Sequence, residues 1–404
     1  MFNNVRLLFL IFSLVVMSCN KKKNILKHGD YIGYLEVDSN KYLPFNYEIK
    51  NDSLLVVSNS LEKVNFQVEY INDSIFIKSR TFEGYIKGVV DDDKVSGYFI
   101  IESLDRVVPF SSKPGKIRFN IDSQLNPKLF NNSWKLTLNK GQENESKSIA
   151  NFQRYSDRLI SSTFRTNTGD YGFLEGVYNN NTITLSTFNG SRAYLIEAEM
   201  IGDSLFGFIY QGNHGKLNIE GSIDNSFELD DEYSLTKINN SKHNFNFEFE
   251  DLNGTLVSLS DKKYLNKAIV VQIMGSWCPN CLDETRFFVD YLNKNDLDGI
   301  EFIALAFEYS KTKDLAISNI LKLKQELNIP YSILLAQYGS SDKNLAKDKL
   351  PMLVEVVSYP TTIFLNKNKE VVKIHTGFNG PATGVKYDKF KEEFNKTIEL
   401  LLVD

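Results

Sequence analysis

Cysteine and histidine are scarce in this sequence, three and four respectively among 404 residues. That scarcity excludes two common uses of sulfur and imidazole. An exported domain framed by disulfides carries more cysteines at wider spacings, and a zinc site needs about four Cys or His ligands. The cysteines here are Cys19, Cys278 and Cys281, while His28, His214, His243 and His375 are scattered without paired spacing. No metal site and no cofactor are therefore expected. A basic excess is also missing, since the formal net charge is -5, and nucleic acid is not an expected partner. Proline is sparse at nine residues, whereas Phe and Tyr number 29 and 20; aromatics in that abundance fill pleated, half-buried β-surfaces. The chain is too long for one ordinary core and should divide into several domains.

The N-terminal apolar run, from position 5 or 7 to 17, is preceded by a single charge, Arg6, and falls short of the roughly 20 residues of a spanning helix. It reads as a signal peptide over 1–18. Its end, Val16-Met17-Ser18-Cys19, resembles the lipobox of bacterial lipoproteins, which implies that Cys19 is lipidated and becomes the mature N-terminus. An ordinary signal peptide with a chance cysteine is the alternative. Residues 19–28, including Lys21, Lys22 and Lys23, then form a solvated tether to the membrane, and the absence of aspartate after Cys19 points to the outer rather than the inner membrane. The expected location is the cell envelope, facing the periplasm.

Between 29 and 228, short alternating apolar runs are punctuated by turn residues such as Asn51-Asp52-Ser53, Asp91-Asp92-Asp93 and Asn179-Asn180-Asn181. This is an all-β pattern. Asp73-Ser74-Ile75-Phe76-Ile77 resembles Asn181-Thr182-Ile183-Thr184-Leu185, Val95-Ser96-Gly97-Tyr98-Phe99 resembles Leu205-Phe206-Gly207-Phe208-Ile209, and 31–37 resembles 133–138, an offset of about 102 to 110 residues. Two related β-modules, small barrels or sandwiches, are read over 29–118 and 125–228; one continuous β-domain is the alternative. A polar linker spans 229–246. Over 247–404 strand and helix alternate, which argues for βαβ units around a mixed sheet and makes the chain multidomain, all-β followed by α/β.

The pair Cys278 and Cys281 stands where an apolar strand over 268–274 turns at Gly275-Ser276 into a helix beginning near Pro279. Unpaired N–H groups and the dipole at a helix start favour a thiolate, so Cys278 is read as the attacking thiol and Cys281, one turn inward, as the resolving thiol of a redox disulfide. Spacing alone also permits a local structural disulfide, though so small a loop stabilises little. Haem attachment would need His where Leu282 stands.

The stretch over 249–259, the run Trp277-Cys278-Pro279-Asn280-Cys281, then Tyr359-Pro360-Thr361-Thr362 and Thr376-Gly377-Phe378 together resemble the TlpA/ResA-type thioredoxin-like reductases of bacterial envelopes, over about 40% of the chain. The resemblance implies a thioredoxin-like domain at 247–404. It further implies a cis bond at Tyr359-Pro360, a client peptide held beside Cys278 by Trp277, Tyr359, Pro360 and Thr361, and a catalytic role for Glu284 in proton handling. Gln272 stands where thioredoxins have a buried aspartate, and Asn280 and Arg286 stand where the family usually has proline. The implied activity is thiol-disulfide exchange of the protein-disulfide reductase type, acting on disulfide-containing envelope proteins, apocytochrome c among them, and fed by a membrane thiol-disulfide electron donor. Two other readings stand beside it. One is an envelope binding lipoprotein whose β-modules hold a partner or ligand, with an auxiliary redox domain. The other is a thiol peroxidase, disfavoured because Ser276-Trp277 precedes the pair instead of a Thr-x-x-Cys setting.

Overall fold

The computed structural model describes residues 25–121, 127–239 and 245–403. The signal peptide, Cys19 and most of the tether lie outside them, as does His243.

The first sheet is a closed antiparallel barrel of eight strands: β1 (Gly29–Asp38), β2 (Lys41–Asn51), β3 (Leu54–Asn59), β4 (Glu62–Ile71), β5 (Ser74–Ser79), β6 (Tyr85–Asp91), β7 (Lys94–Ile101) and β8 (Arg106–Pro114). Alternation drives it: in β5, Ile75, Ile77 and Ser79 turn inward while Phe76 and Lys78 are half-exposed. Pairing of β1 with β8 closes the ring and leaves no bare edge.

After the short helix α1 (Pro127–Phe130), the second sheet comprises β9 (Trp134–Leu138), β10 (Ser146–Arg154), β11 (Ile160–Thr166), β12 (Gly169–Asp170), β13 (Leu174–Asn179), β14 (Thr182–Phe188), β15 (Ala193–Ile201), β16 (Ser204–Gln211) and β17 (Gly215–Ile223). Strand β9 pairs with β17 and β10 pairs with β11, so eight of the nine strands form a second antiparallel ring, with β12 on its edge. The self-similar segments fall on equivalent strands of the two rings: the first (β1, β9), the fifth (β5, β14) and the seventh (β7, β16). Tight hairpins occur in both rings, though at different places in the strand order. Asp92 and Asp93 in one ring, and Asn180 and Asn181 in the other, have positive φ at both central positions, the backbone that tight hairpins favour.

The two rings interlock. Phe188, at the end of β14, sits with its ring centroid 4.4 Å from Phe45 and 5.1 Å from Phe99 of the first barrel, and its backbone carbonyl accepts from Asn59 Nδ2 at 2.8 Å. The aromatics inside the first barrel, Phe45, Phe66, Phe99 and Phe110, are thereby buried in a packed core. A packed interior removes the open aromatic groove that a ligand-binding reading of this module calls for.

The third sheet is mixed, ordered β19-β18-β22-β21-β20-β23-β24, from β18 (Glu248–Asp251), β19 (Leu256–Ser258), β20 (Ala268–Met274), β21 (Ile300–Phe307), β22 (Ser332–Gln337), β23 (Thr361–Leu365) and β24 (Val371–Thr376). β20, β21 and β22 are parallel, and β23 runs antiparallel to β20. The helices are α2 (Pro279–Lys294), α3 (Lys313–Leu327), α4 (Lys343–Lys349) and α5 (Val385–Val403). Strand β20 is buried at every position, which is why it reads as an unbroken apolar run interrupted only by Gln272. The polar stretch read as linker is not a free tether where it is described. The Glu232 carbonyl accepts from Thr376 N, Lys386 reaches the Glu232 carboxylate at 2.6 Å, and Ile238 bridges to Leu353.

Candidate active site

Chain direction at the end of β20 sets the site. Gly275 and Ser276 turn the chain, Pro279 occupies the first turn of α2 where a missing N–H costs nothing, and Cys278 is left as the N-cap residue. Its Sγ accepts the Cys281 N–H at 3.3 Å and donates to the Tyr359 carbonyl at 3.4 Å. The Tyr359–Pro360 bond is cis. Both cysteines are free thiols, Cys281 fully buried and Cys278 exposed by only 5%. Burial pushes the Cys281 thiol well up from its ordinary value, Cys278 beside it adds to this, and nearby Glu284 contributes a smaller push.

Glu284 lies one turn further along α2 and is completely buried. Its two oxygens accept from Gln272 Nε2 at 2.9 Å and Thr362 Oγ1 at 2.8 Å, and burial raises its pKa to about 8 in spite of those bonds. Gln272 is the keystone: its amide also donates to Thr285 Oγ1 at 3.2 Å. An amide there orients the carboxyl of Glu284 without titrating, so the buried titratable group of this half of the site is Glu284.

A second buried carboxyl stands on the other side of the cysteine loop. Glu308 follows β21 directly and accepts from Ser276 N and Ser276 Oγ, both at 2.7 Å; burial raises it to about 7. A charge placed immediately after the unbroken apolar run from Phe302 to Phe307 is the signal in the sequence that could have drawn attention to it. Trp277 donates its indole N–H to the Phe307 carbonyl at 2.9 Å and packs edge-on against Tyr359. The Tyr359 hydroxyl is buried and has no hydrogen-bond partner. Thr361, by contrast, sits between β20 and β24 with its hydroxyl on the Ser358 carbonyl at 2.8 Å, so its side chain faces inward and away from any incoming chain.

The second β-ring also reaches the site, and this was not legible in the sequence. Arg192, in the turn between β14 and β15, is buried and donates to Asn280 Oδ1, to Asp283 Oδ2 at 3.3 Å and to the Asp170 carbonyl at 3.4 Å. Burial opposes its charge, but Asp283, Asp170 and Glu62 outweigh it and hold the guanidinium ionised. The Asp170 carboxylate caps the Gly172 and Gly380 N–H groups, both at 2.6 Å. Ser191 Oγ donates to the Trp277 carbonyl at 3.0 Å. Thr168 and Gly169 lie across the far side: a Cβ at Gly377 would come within 2.6 Å of the Thr168 backbone, and one at Gly169 within 2.0 Å of Asn280. Both glycines have φ in the positive region, +77° and +139°, so close approach and backbone conformation fix them together. Asn280 thus ties the cysteine loop to the β-region.

Among the described residues no cluster of His, Cys, Asp and Glu is arranged to hold a metal ion, and no helix is long and apolar enough to cross a membrane.

Residues 239–389 match the family model described as Redoxin. The C-terminal region carries a redoxin domain. Solved structures similar to this redoxin region include a thiol:disulfide interchange protein of the thioredoxin family from Chlorobium tepidum (15% identity, TM-score 0.30, covering 40% of this chain and 96% of that one). A thiol-disulfide oxidoreductase from Bacteroides fragilis is similar at 15% identity and a TM-score of 0.28, covering 37% of this chain and 99% of that one. A secreted thiol-disulfide isomerase from Corynebacterium glutamicum is similar at 12% identity and a TM-score of 0.28, covering 43% of this chain and 98% of that one. No curated protein matches the sequence.

Proposed function

We propose that the chain is a membrane-tethered thiol-disulfide oxidoreductase of the cell envelope that reduces disulfides of other envelope proteins. The observation carrying this reading is the N-cap position of Cys278, with its sulfur 3.3 Å from the Cys281 N–H and 3.4 Å from the carbonyl that precedes a cis proline. In the forward direction the Cys278 thiolate attacks a client disulfide, forming a mixed disulfide and releasing one client thiolate. Cys281 loses its proton, Glu284 being the buried group able to take it, and attacks the Cys278 sulfur. The second client thiol leaves, and the enzyme is oxidised to the Cys278–Cys281 disulfide by the two electrons the client gains. A dithiol donor at the membrane restores the pair. Trp277 and the Tyr359–Pro360 backbone beside the Cys278 sulfur form the surface against which the client strand lies. Lipidation of Cys19 supplies the tether and the periplasmic face of the outer membrane its location; the reach of the tether read over 19–28 ends before Leu26, which is buried in the core of the first barrel; apocytochrome c is one client.

The test is insulin-disulfide reduction by the purified soluble chain, with Cys281→Ser used to trap covalent adducts in cells. Reduction, together with adducts that Cys278→Ser abolishes, is the expected outcome; no reduction and no adducts would sink the reading. Labelling with radioactive palmitate, lost in Cys19→Ala, tests the anchor.

A further inference from the structure

The β-region packs against the cysteine loop at Asn280. Thr168 and Gly169 lie over the Gly377 turn and Asn280, and Arg192 ties Asn280 to Asp283, so the Asn280 flank of the loop is covered by the chain itself. A broad cleft beside Asn280, walled by Glu145, Glu228 and Asp230, touches none of Trp277, Cys278, Pro279 or Tyr359. A different cleft, of about 280 Å³, touches both residues that flank Cys278. It lies where all three sheets meet. The first barrel contributes Leu104 and Arg106, the second ring Tyr194 and His214, and the redoxin domain Trp277 and Pro279. In its floor Trp277 is held by the Phe307 carbonyl and packs, tilted, at 5.5 Å against Tyr309.

The chemistry of this cleft is one-sided. No carboxylate lines it. Arg106 is half-buried, and no carboxylate among the described residues pairs with it. The titratable groups facing it are Tyr194, Tyr309 and His214. Burial and the Arg106 charge lower His214 to about 4, so at neutral pH Arg106 is the sole charge on the lining. Its neighbour Asp105, which could have neutralised it, is instead engaged by Lys311 at 2.7 Å. A partly desolvated guanidinium without a counter-ion is complementary to a carboxylate, and a cleft of this size takes one or two side chains.

The geometry points to this cleft as the client-recognition site, where Arg106 selects polypeptide disulfides that carry an acidic side chain beside the attacked cysteine. The assignment rests on the redox reading of Cys278 and adds the chemical class of its client. It makes the first barrel, distant in sequence from the cysteine pair, a wall of the specificity site.

The test uses the full soluble chain and three mixed-disulfide peptides differing only in the residue beside the cysteine: Glu, Gln or Lys. The Glu peptide should react about tenfold faster than the Gln peptide, the scale of one charge-assisted hydrogen bond. Arg106→Gln should bring the two within about twofold of each other, and Arg106→Glu should transfer the preference to Lys. Equal rates in the unaltered protein, or an equal loss on all three peptides in Arg106→Gln, would overturn the assignment. So would reaction with glutathione disulfide but with none of the peptides. Binding is read separately in Cys278→Ser, using peptides with serine in place of cysteine and the fluorescence of Trp277, the other tryptophan, Trp134, being fully buried. Arg106-dependent binding of the Glu peptide by a chain that exchanges no disulfide would support the cleft and sink the redox reading. Exchange without side-chain preference would do the reverse.

Discussion

The two β-rings have the same number of strands, the same direction and the same closure, yet they hold the redoxin domain by different chemistry. The first does so at its surface. Arg80 meets Glu326 at 3.1 Å, Lys311 meets Asp105 at 2.7 Å, and Phe82 alone enters the redoxin core. The second inserts a buried guanidinium, Arg192, beside the cysteine loop and takes its bonds from Asn280 and Asp283. Exposed pairs contribute little, while a buried cation with two carboxylates around it is costly to break. The comparison teaches that repeated architecture does not mean repeated function: one ring acts as a wall and the other as a clamp.

The largest expected effect concerns the pair that both rings surround. Cys278→Ser should abolish disulfide exchange with insulin, while Cys281→Ser should retain the first attack and stall as a mixed disulfide, visible by non-reducing electrophoresis and mass spectrometry. Next comes the clamp. Arg192→Ala leaves Asp170 buried without its cation and Asp283 with Arg286 alone, which costs on the order of 3 kcal/mol, read as a fall in the urea midpoint. The same variant should alkylate faster at Cys278 with iodoacetamide, because Asn280 loses its tie to the second ring. Unchanged alkylation would break the distinction between clamp and wall.

A smaller effect tests Glu284. Its folded pKa, about 8, lies above its ordinary 4.5, so between those values the folded chain holds a proton that the unfolded chain has released. Stability therefore falls as pH rises through that window, and above it the full burial penalty of the carboxylate applies. Glu284→Gln should flatten this fall, gaining on the unaltered protein as pH rises from about 5 to about 9 in urea titrations. It should also remove a pH-rate inflection near 8 from the resolving step. The smallest effect belongs to the wall: Arg80→Ala or Lys311→Ala should cost under about 1 kcal/mol and leave alkylation of Cys278 unchanged.

The redoxin region was legible because its signals are local. An apolar run, Gly275-Ser276, then Cys278-Pro279 spells strand, turn and capped helix, whereas the cis bond at Tyr359-Pro360 was implied by the resemblance to thioredoxin-like reductases and not by the local residues. The ring architecture was half legible, because alternation and turns mark hairpins but nothing in Gly29 to Asp38 announces that it pairs with β8. What could not be read were the contacts between sheets. Asn189-Gly190-Ser191-Arg192 looks like an ordinary turn, and only its position across the interface makes Arg192 a partner of Asn280, 88 residues away. Arg106 and Trp277 likewise meet only because three sheets converge. The burial of the Thr361 side chain could not be read for the same reason, since its two strand neighbours are set by tertiary pairing.

The most direct test of the central claim is the equilibrium oxidation of the soluble chain in dithiothreitol buffers of graded potential, followed by thiol counting and Trp277 fluorescence. The account predicts one reversible two-electron transition, consuming both thiols together and absent from Cys278→Ser and Cys281→Ser alike. Two thiols that remain free across the full range, or that oxidise irreversibly and independently, would contradict it.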